Sequence, residues 1–143
     1  DKRILETYLV NSYGTLLFIK YFLRNNSKLV HNRKIINLLT RNVIFGGTRH
    51  VDYISSKSAL YSASRTLSNE YKDIKFLNLL CGPLGFEKGQ LAPDLISEKI
   101  ISLFNLKMSN NYRDIYFESK TNYIQFIIKN ILKYLKNLKN INT

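Results

Sequence analysis

The sequence is short of the residues that staple, span or neutralise a chain. Among its 143 residues there is one cysteine, Cys81, so no internal disulfide can form and no cysteine cluster is available for a metal. That usage fits a reducing, cytoplasmic setting. No uncharged apolar run reaches the roughly 18 residues of a membrane span. The start, Asp-Lys-Arg-Ile-Leu-Glu, has no signal-peptide pattern. Acidic residues are scarce, 10 against 22 Lys and Arg, for a formal charge of +12. The shortage is local, with no acid from Thr7 to Val51 or from Lys120 to Thr143. The first stretch holds Lys20, Arg24, Lys28, Arg33, Lys34, Arg41 and Arg49. The second holds Lys120, Lys129, Lys133, Lys136 and Lys139. Together these are the whole excess, and residues 52–119 are electrically balanced. The basic positions of 7–51 are spread over helix, loop and strand end, and no zinc spacing or aromatic-glycine RNA motif accompanies them. No nucleic-acid partner is expected.

What is present is an ordinary globular composition, 45% apolar, enough for one domain with a useful core. Ile4, Leu5, Tyr8, Leu9, Tyr13, Leu16, Leu17, Tyr21 and Leu23 recur near a 3.6-residue period and predict a helix over 3–24. Lys34–Thr40 (KIINLLT) and Lys75–Cys81 (KFLNLLC) have the length and apolar content of strands buried on both faces. Between them come a loop with Gly46-Gly47 and a helix over about 53–71, with Asp52 as its expected N-cap. Gly82-Pro83 breaks the second strand. Pro93 opens a helix to about 106, Arg113–Ser119 gives a third strand, and 121–139 a last helix. The alternation predicts an α/β fold with a parallel sheet. Open α/β sheets hold ligands beyond the carboxyl ends of their strands, so a site is expected after Thr40 and after Cys81.

Tyr53 and Lys57 stand four apart at the start of a predicted helix, on one face and one turn apart. An ammonium beside a phenol favours the phenolate and lowers the tyrosine pKa. Such a hydroxyl can give or take a proton near neutral pH. Thr40 ends the preceding strand, 13 residues before Tyr53, and its hydroxyl can donate to a carbonyl oxygen held beside the tyrosine. In a chain with ten tyrosines, the spacing alone reads first as a solvated helix face.

Context changes that reading. The stretch Tyr53-Ile-Ser-Ser-Lys57-Ser-Ala-Leu60, followed by Ser64-Arg65-Thr-Leu67-Ser-Asn-Glu70-Tyr71, resembles the active-site helix of the short-chain dehydrogenase/reductase family nearly position for position. Ile35-Ile-Asn-Leu-Leu-Thr40 resembles that family's strand ending in a catalytic hydroxyl. Val10-Asn11-Ser-Tyr-Gly14 resembles its Val-Asn-x-x-Gly helix motif, and Cys81-Gly82-Pro83-Leu84 its Pro-Gly-Pro-Ile loop. The resemblance covers roughly residues 5–119. It implies the C-terminal half of a doubly wound Rossmann-type parallel sheet and hydride transfer between NAD or NADP and a carbonyl or secondary alcohol. In that scheme Tyr53 is the general acid or base, and Lys57 lowers its pKa and bonds the nicotinamide ribose. Thr40 positions the carbonyl oxygen, and Asn11 holds a water of a proton relay. Gly82, Pro83 and Leu84 lie against the cofactor. Arg41, Asn42, Phe45, His50 and Phe86 line the substrate side. A homodimer or homotetramer formed through helices 3–24 and 53–71 is implied too.

Three departures stand out. Thr replaces Ser at position 40, and Cys81 replaces the proline before Gly82. The family's glycine-rich phosphate-binding turn and its Asn-Asn-Ala-Gly motif have no counterpart in the chain. The expectation is a chain divided into a partial catalytic domain (1–119) and a basic amphipathic helix with its tail (120–143), the nucleotide-binding half lying before residue 1. A truncated or degenerate relative, acting as a non-catalytic interaction module, is the alternative. His31 and His50 read first as surface-loop histidines, a substrate contact being the alternative for His50, three residues before Tyr53, and Cys81 reads as a buried strand-end residue. In the last helix Ile124, Ile127, Ile128, Ile131, Leu135 and Leu138 share one face, with Lys129, Lys133 and Lys136 on the other. Packing on the sheet or on a second subunit is expected for it, with an anionic membrane surface as the alternative.

Overall fold

The two apolar runs read as buried strands pair with each other. The structure, a computed structural model, describes residues 2–25, 33–85, 87, 90–119 and 128. Strand β1 (Lys34–Thr40) runs parallel to β2 (Lys75–Cys81), with Lys34 opposite Lys75 and Thr40 opposite Cys81. Strand β3 (Tyr112–Phe117) lies on the far side of β2, also parallel, with Cys81 opposite Phe117. The order β1-β2-β3 makes β2 central, and its residues Phe76 to Leu80 are all 0% exposed. The third strand starts one residue before the expected 113–119 and stops at Phe117, whose carbonyl takes the closing bond from the Gly82 N–H at 3.0 Å.

Alternation of side chains gives the sheet two faces. On one, Leu77, Leu79 and Cys81 pack against Ile96 and Leu103 of α5 (Pro93–Phe104), with Ile36, Ile115 and Phe117 alongside. On the other, Leu39 and Leu80 pack with Leu60 of α4 (Val51–Glu70) and Ile19 of α2 (Thr15–Asn25). Each fully buried leucine contributes about 1.5–3 kcal/mol of transfer free energy, so this helix–sheet–helix sandwich is the main source of stability.

The buried stripe of α4 is mostly serine: Ser56, Leu60, Ser64 and Ser68 recur every fourth residue. The small side chains meet a polar rung made by three register partners, Asn37, Asn78 and Asp114. Asn37 Nδ2 donates to Ser64 Oγ at 2.6 Å and to Asn78 Oδ1 at 3.1 Å. Asn78 Nδ2 donates to Asp114 Oδ1 at 3.1 Å and to Tyr112 Oη at 2.9 Å, and Tyr61 Oη donates to Asp114 Oδ2 at 2.7 Å. Buried polar groups are tolerated when paired in this way.

Four local expectations are corrected. The N-terminal helix is interrupted: α1 (Lys2–Tyr8) passes through a π-helical turn (Leu9–Gly14) into α2. The widened turn is held on α4, where Asn11 Nδ2 donates to Ser56 Oγ at 3.2 Å and Ser12 Oγ to Ser56 O at 2.7 Å. The loop after β1 contains a short helix, α3 (Asn42–Phe45), closed by Gly46 at φ +71°. Asp52 is no N-cap; His50 holds that position without a side-chain cap bond, and Asp52 sits in the first turn of α4. There the Tyr53 backbone N–H, with Arg3 beside it, holds the Asp52 carboxyl below its usual range. Finally, α5 ends at Phe104, and Lys34 binds carbonyls at and just beyond that end: the Lys34 ammonium donates to Leu103 O at 3.2 Å, to Phe104 O and to Leu106 O at 2.7 Å. The helix read over 121–139 lies outside the described residues except for Ile128. Among the described residues no helix is long and apolar enough to cross a membrane.

Candidate active site

The carboxyl ends of β1 and β2 open into a cavity of about 470 Å³. Thr40, Arg41 and Asn42 enter it from β1 and the start of α3, His50, Tyr53 and Lys57 from the first turns of α4. Gly82, Pro83 and Leu84 enter from the loop after β2, with Leu38, Leu39 and Cys81 beneath. Nine residues singled out in the sequence thus share one wall. They meet because a parallel sheet points every strand end the same way, and because the serine stripe of α4 lets its first turns come down beside Thr40.

Two other described residues lie apart from that cavity. Asn11 lines a second, more open cavity of about 550 Å³ on the outer side of α4, together with Arg3, Glu6 and Asp52; His50 and Tyr53 border both cavities. Phe45 is not among the residues lining the first cavity. Its ring lies 6.1 Å, centre to centre, from the ring of Tyr116 on β3, which draws it onto the neighbouring face of the sheet. Phe86 lies outside the described residues. Glu118, which pairs with Arg41, is not singled out by the sequence, which puts it inside a strand over 113–119; in the structure it stands one residue past the end of β3.

The electrostatics differ from the expectation. Lys57 Nζ lies 5.9 Å from the centre of the Tyr53 ring and donates to Leu38 O at 3.3 Å. Burial pushes the Tyr53 hydroxyl above its ordinary range, with a further push from the Cys81 thiol when charged. Burial also pushes the Lys57 ammonium down. Burial thus governs both groups, and the lowering of the phenol that the spacing predicts is not what Tyr53 shows. The Cys81 thiol, 2% exposed, is pushed by burial up to about 11. It is a neutral wall of the cavity at physiological pH and no thiolate nucleophile. Thr40 Oγ1 accepts the Asn42 N–H at 3.3 Å, which leaves its proton to point at a cavity ligand. Among the described residues no group of three or more His, Cys, Asp or Glu could hold a metal ion.

No protein-family model matches the sequence, and no curated protein matches it. Among solved structures, an alcohol dehydrogenase from the archaeon Thermococcus sibiricus, complexed with 5-hydroxy-NADP, matches with a TM-score of 0.74 and 22% identity, over 84% of this chain and 55% of that one. A short-chain dehydrogenase from Streptomyces avermitilis matches with a TM-score of 0.49 and 14% identity, over 76% of this chain and 50% of that one. The chain spans 55% of the length of the archaeal enzyme. Its three parallel strands and flanking helices thus have the fold of part of the archaeal enzyme, a portion of a Rossmann-type α/β sheet.

Proposed function

We propose that this chain is the catalytic portion of an NAD(P)-dependent oxidoreductase of the short-chain type, reducing a carbonyl or oxidising a secondary alcohol. The observation that carries the reading is the convergence of Thr40, Tyr53 and Lys57 on one cavity at the strand ends. The donor set suits the nicotinamide-ribose end of a dinucleotide: Lys57 and Tyr53 for the ribose hydroxyls, and the Gly82-Pro83-Leu84 loop against the ring. When bound, the nicotinamide supplies the hydride for the carbonyl carbon. The protein's own part is proton transfer and placement. Thr40 Oγ1 donates to the carbonyl oxygen and fixes its position. Tyr53 Oη gives that oxygen its proton, and the phenolate left behind recovers one from water. Charge on Lys57 favours that phenolate against the burial that opposes it. A test is NADH and NADPH binding to the full-length protein: Lys57→Met is expected to weaken it at least tenfold, and unchanged affinity contradicts the assignment.

Self-association is part of the same proposal. Leu5, Val10, Phe18 and Tyr21 on α1, the π turn and α2 are 59–74% exposed, an apolar load that favours burial against another copy. Sedimentation velocity is expected to show a dimer or tetramer that Phe18→Asp weakens; an unaltered assembly rules this surface out. One observation favours the non-catalytic alternative. The raised Tyr53 hydroxyl and depressed Lys57 ammonium are the reverse of an activated pair in the cofactor-free state.

A further inference from the structure

The residues just past the strand ends form an arrangement that the proton transfer does not use. Thr40, Cys81 and Phe117 are register partners, and the ladder runs one step further. The Arg41 N–H donates to Cys81 O and the Gly82 N–H to Phe117 O, both at 3.0 Å. Arg41, Gly82 and Glu118 are therefore the next rank, one from each strand. Adjacent strands lie about 4.8 Å apart, so Arg41 and Glu118 are two spacings apart with position 82 between them. Their side chains nevertheless form an ion pair, with the Glu118 side chain 2% exposed and that of Arg41 22% exposed.

The glycine in the middle makes this pair possible. Gly82 is not among the residues with positive φ, so its backbone does not call for glycine; the space above it does. A Cβ at position 82 would stand 2.9 Å from Glu118 Cγ, 3.0 Å from Cδ and closer still to Oε1. The Glu118 side chain occupies the place that a side chain on residue 82 would take. A carboxylate so buried is costly without a cation. Arg41 supplies it and, in turn, lines the cavity that holds Thr40, Tyr53 and Lys57.

We infer that Glu118 is a positioning residue of this site: lying across Gly82, it ties the carboxyl ends of the three strands together and holds the Arg41 guanidinium, charge-balanced, in the cavity wall. Its bearing on catalysis rests on the reading of that cavity as the reaction site; the latch itself does not. Two consequences are measurable without cofactor, so their failure is distinct from failure of the oxidoreductase reading. Gly82→Ala lowers the melting temperature by several degrees in the wild-type background and by much less in Glu118→Ala, where the clash is gone. Glu118→Gln keeps the shape but removes the negative charge beside Arg41, so the added positive field of the cavity lowers the Tyr53 titration midpoint. That midpoint is read from the difference between phenolate absorbance titrations with and without Tyr53→Phe. A purely structural contact does not move it. An equal cost of Gly82→Ala in both backgrounds, or a Tyr53 midpoint indifferent to Glu118→Gln, overturns the inference.

Discussion

At the scale of single residues, burial decides the chemistry. Tyr53 and Lys57 are placed as their spacing requires, yet both lean toward their neutral forms, because each loses water on entering the cavity and a ring-centre separation of 5.9 Å gives little direct attraction in return. Cys81 follows the same rule and yields a prediction. Its thiol is shifted from 9.0 to about 11. Below pH 9 both folded and unfolded thiols are protonated and its contribution to stability is full. As pH rises from 9, the unfolded thiol ionises while the folded one does not, so stability falls until the folded group ionises near 11. Burial raises Tyr53, Tyr61, Tyr112 and Tyr116 as well, which adds to the alkaline loss. The urea midpoint is expected to drop between pH 9 and 11, less steeply in Cys81→Ala; identical slopes in the two proteins count against this account.

At the scale of elements, β1 and β2 are legible in the sequence to the residue, because short apolar runs bounded by charge and glycine have few other uses. Helix α4 is legible through its motif more than through its periodicity: its buried stripe of Ser56, Ser64 and Ser68 is invisible to a hydrophobic count. The π turn at Leu9–Gly14 is hidden for a related reason. One widened turn scarcely disturbs a 3.6-residue pattern, and the bonds that hold it come from Ser56, 44 residues away from Ser12. Sequence order says nothing of the ring contact between Phe45 and Tyr116, nor of Glu118, whose partners lie on two other strands. Even the excess of basic residues has structural uses here. Arg33 pairs with Asp73, Arg41 with Glu118, and Lys34 closes α5. Lys34→Met removes a cation from a partly buried helix C-terminus and is expected to cost about 1–2 kcal/mol. Chemical denaturation measures it; a loss no larger than that of an exposed control, Lys20→Met, argues that the three carbonyl bonds contribute nothing.

At the scale of the whole molecule, the chain matches 55% of the length of a solved structural neighbour, and the proposed function makes its strand-end cavity the proton-transfer side of a reaction site. On the proposed reading the strand-end cavity takes the nicotinamide ribose, while the sequence supplies no glycine-rich turn for a pyrophosphate. The 143-residue chain by itself is therefore expected to bind NADH or NADPH more weakly than micromolar, and a micromolar dissociation constant from calorimetry refutes that. The most direct test of the central claim is the Tyr53→Phe substitution in the full-length protein, read as carbonyl-dependent oxidation of NADH or NADPH. If Tyr53 delivers the proton, kcat falls by about 10²–10⁴-fold, well beyond the weakening of nucleotide affinity that losing its one ribose hydrogen bond brings. A variant that turns over at the wild-type rate contradicts the assignment of Tyr53 as the acid and, with it, the reading of the cavity as the reaction site.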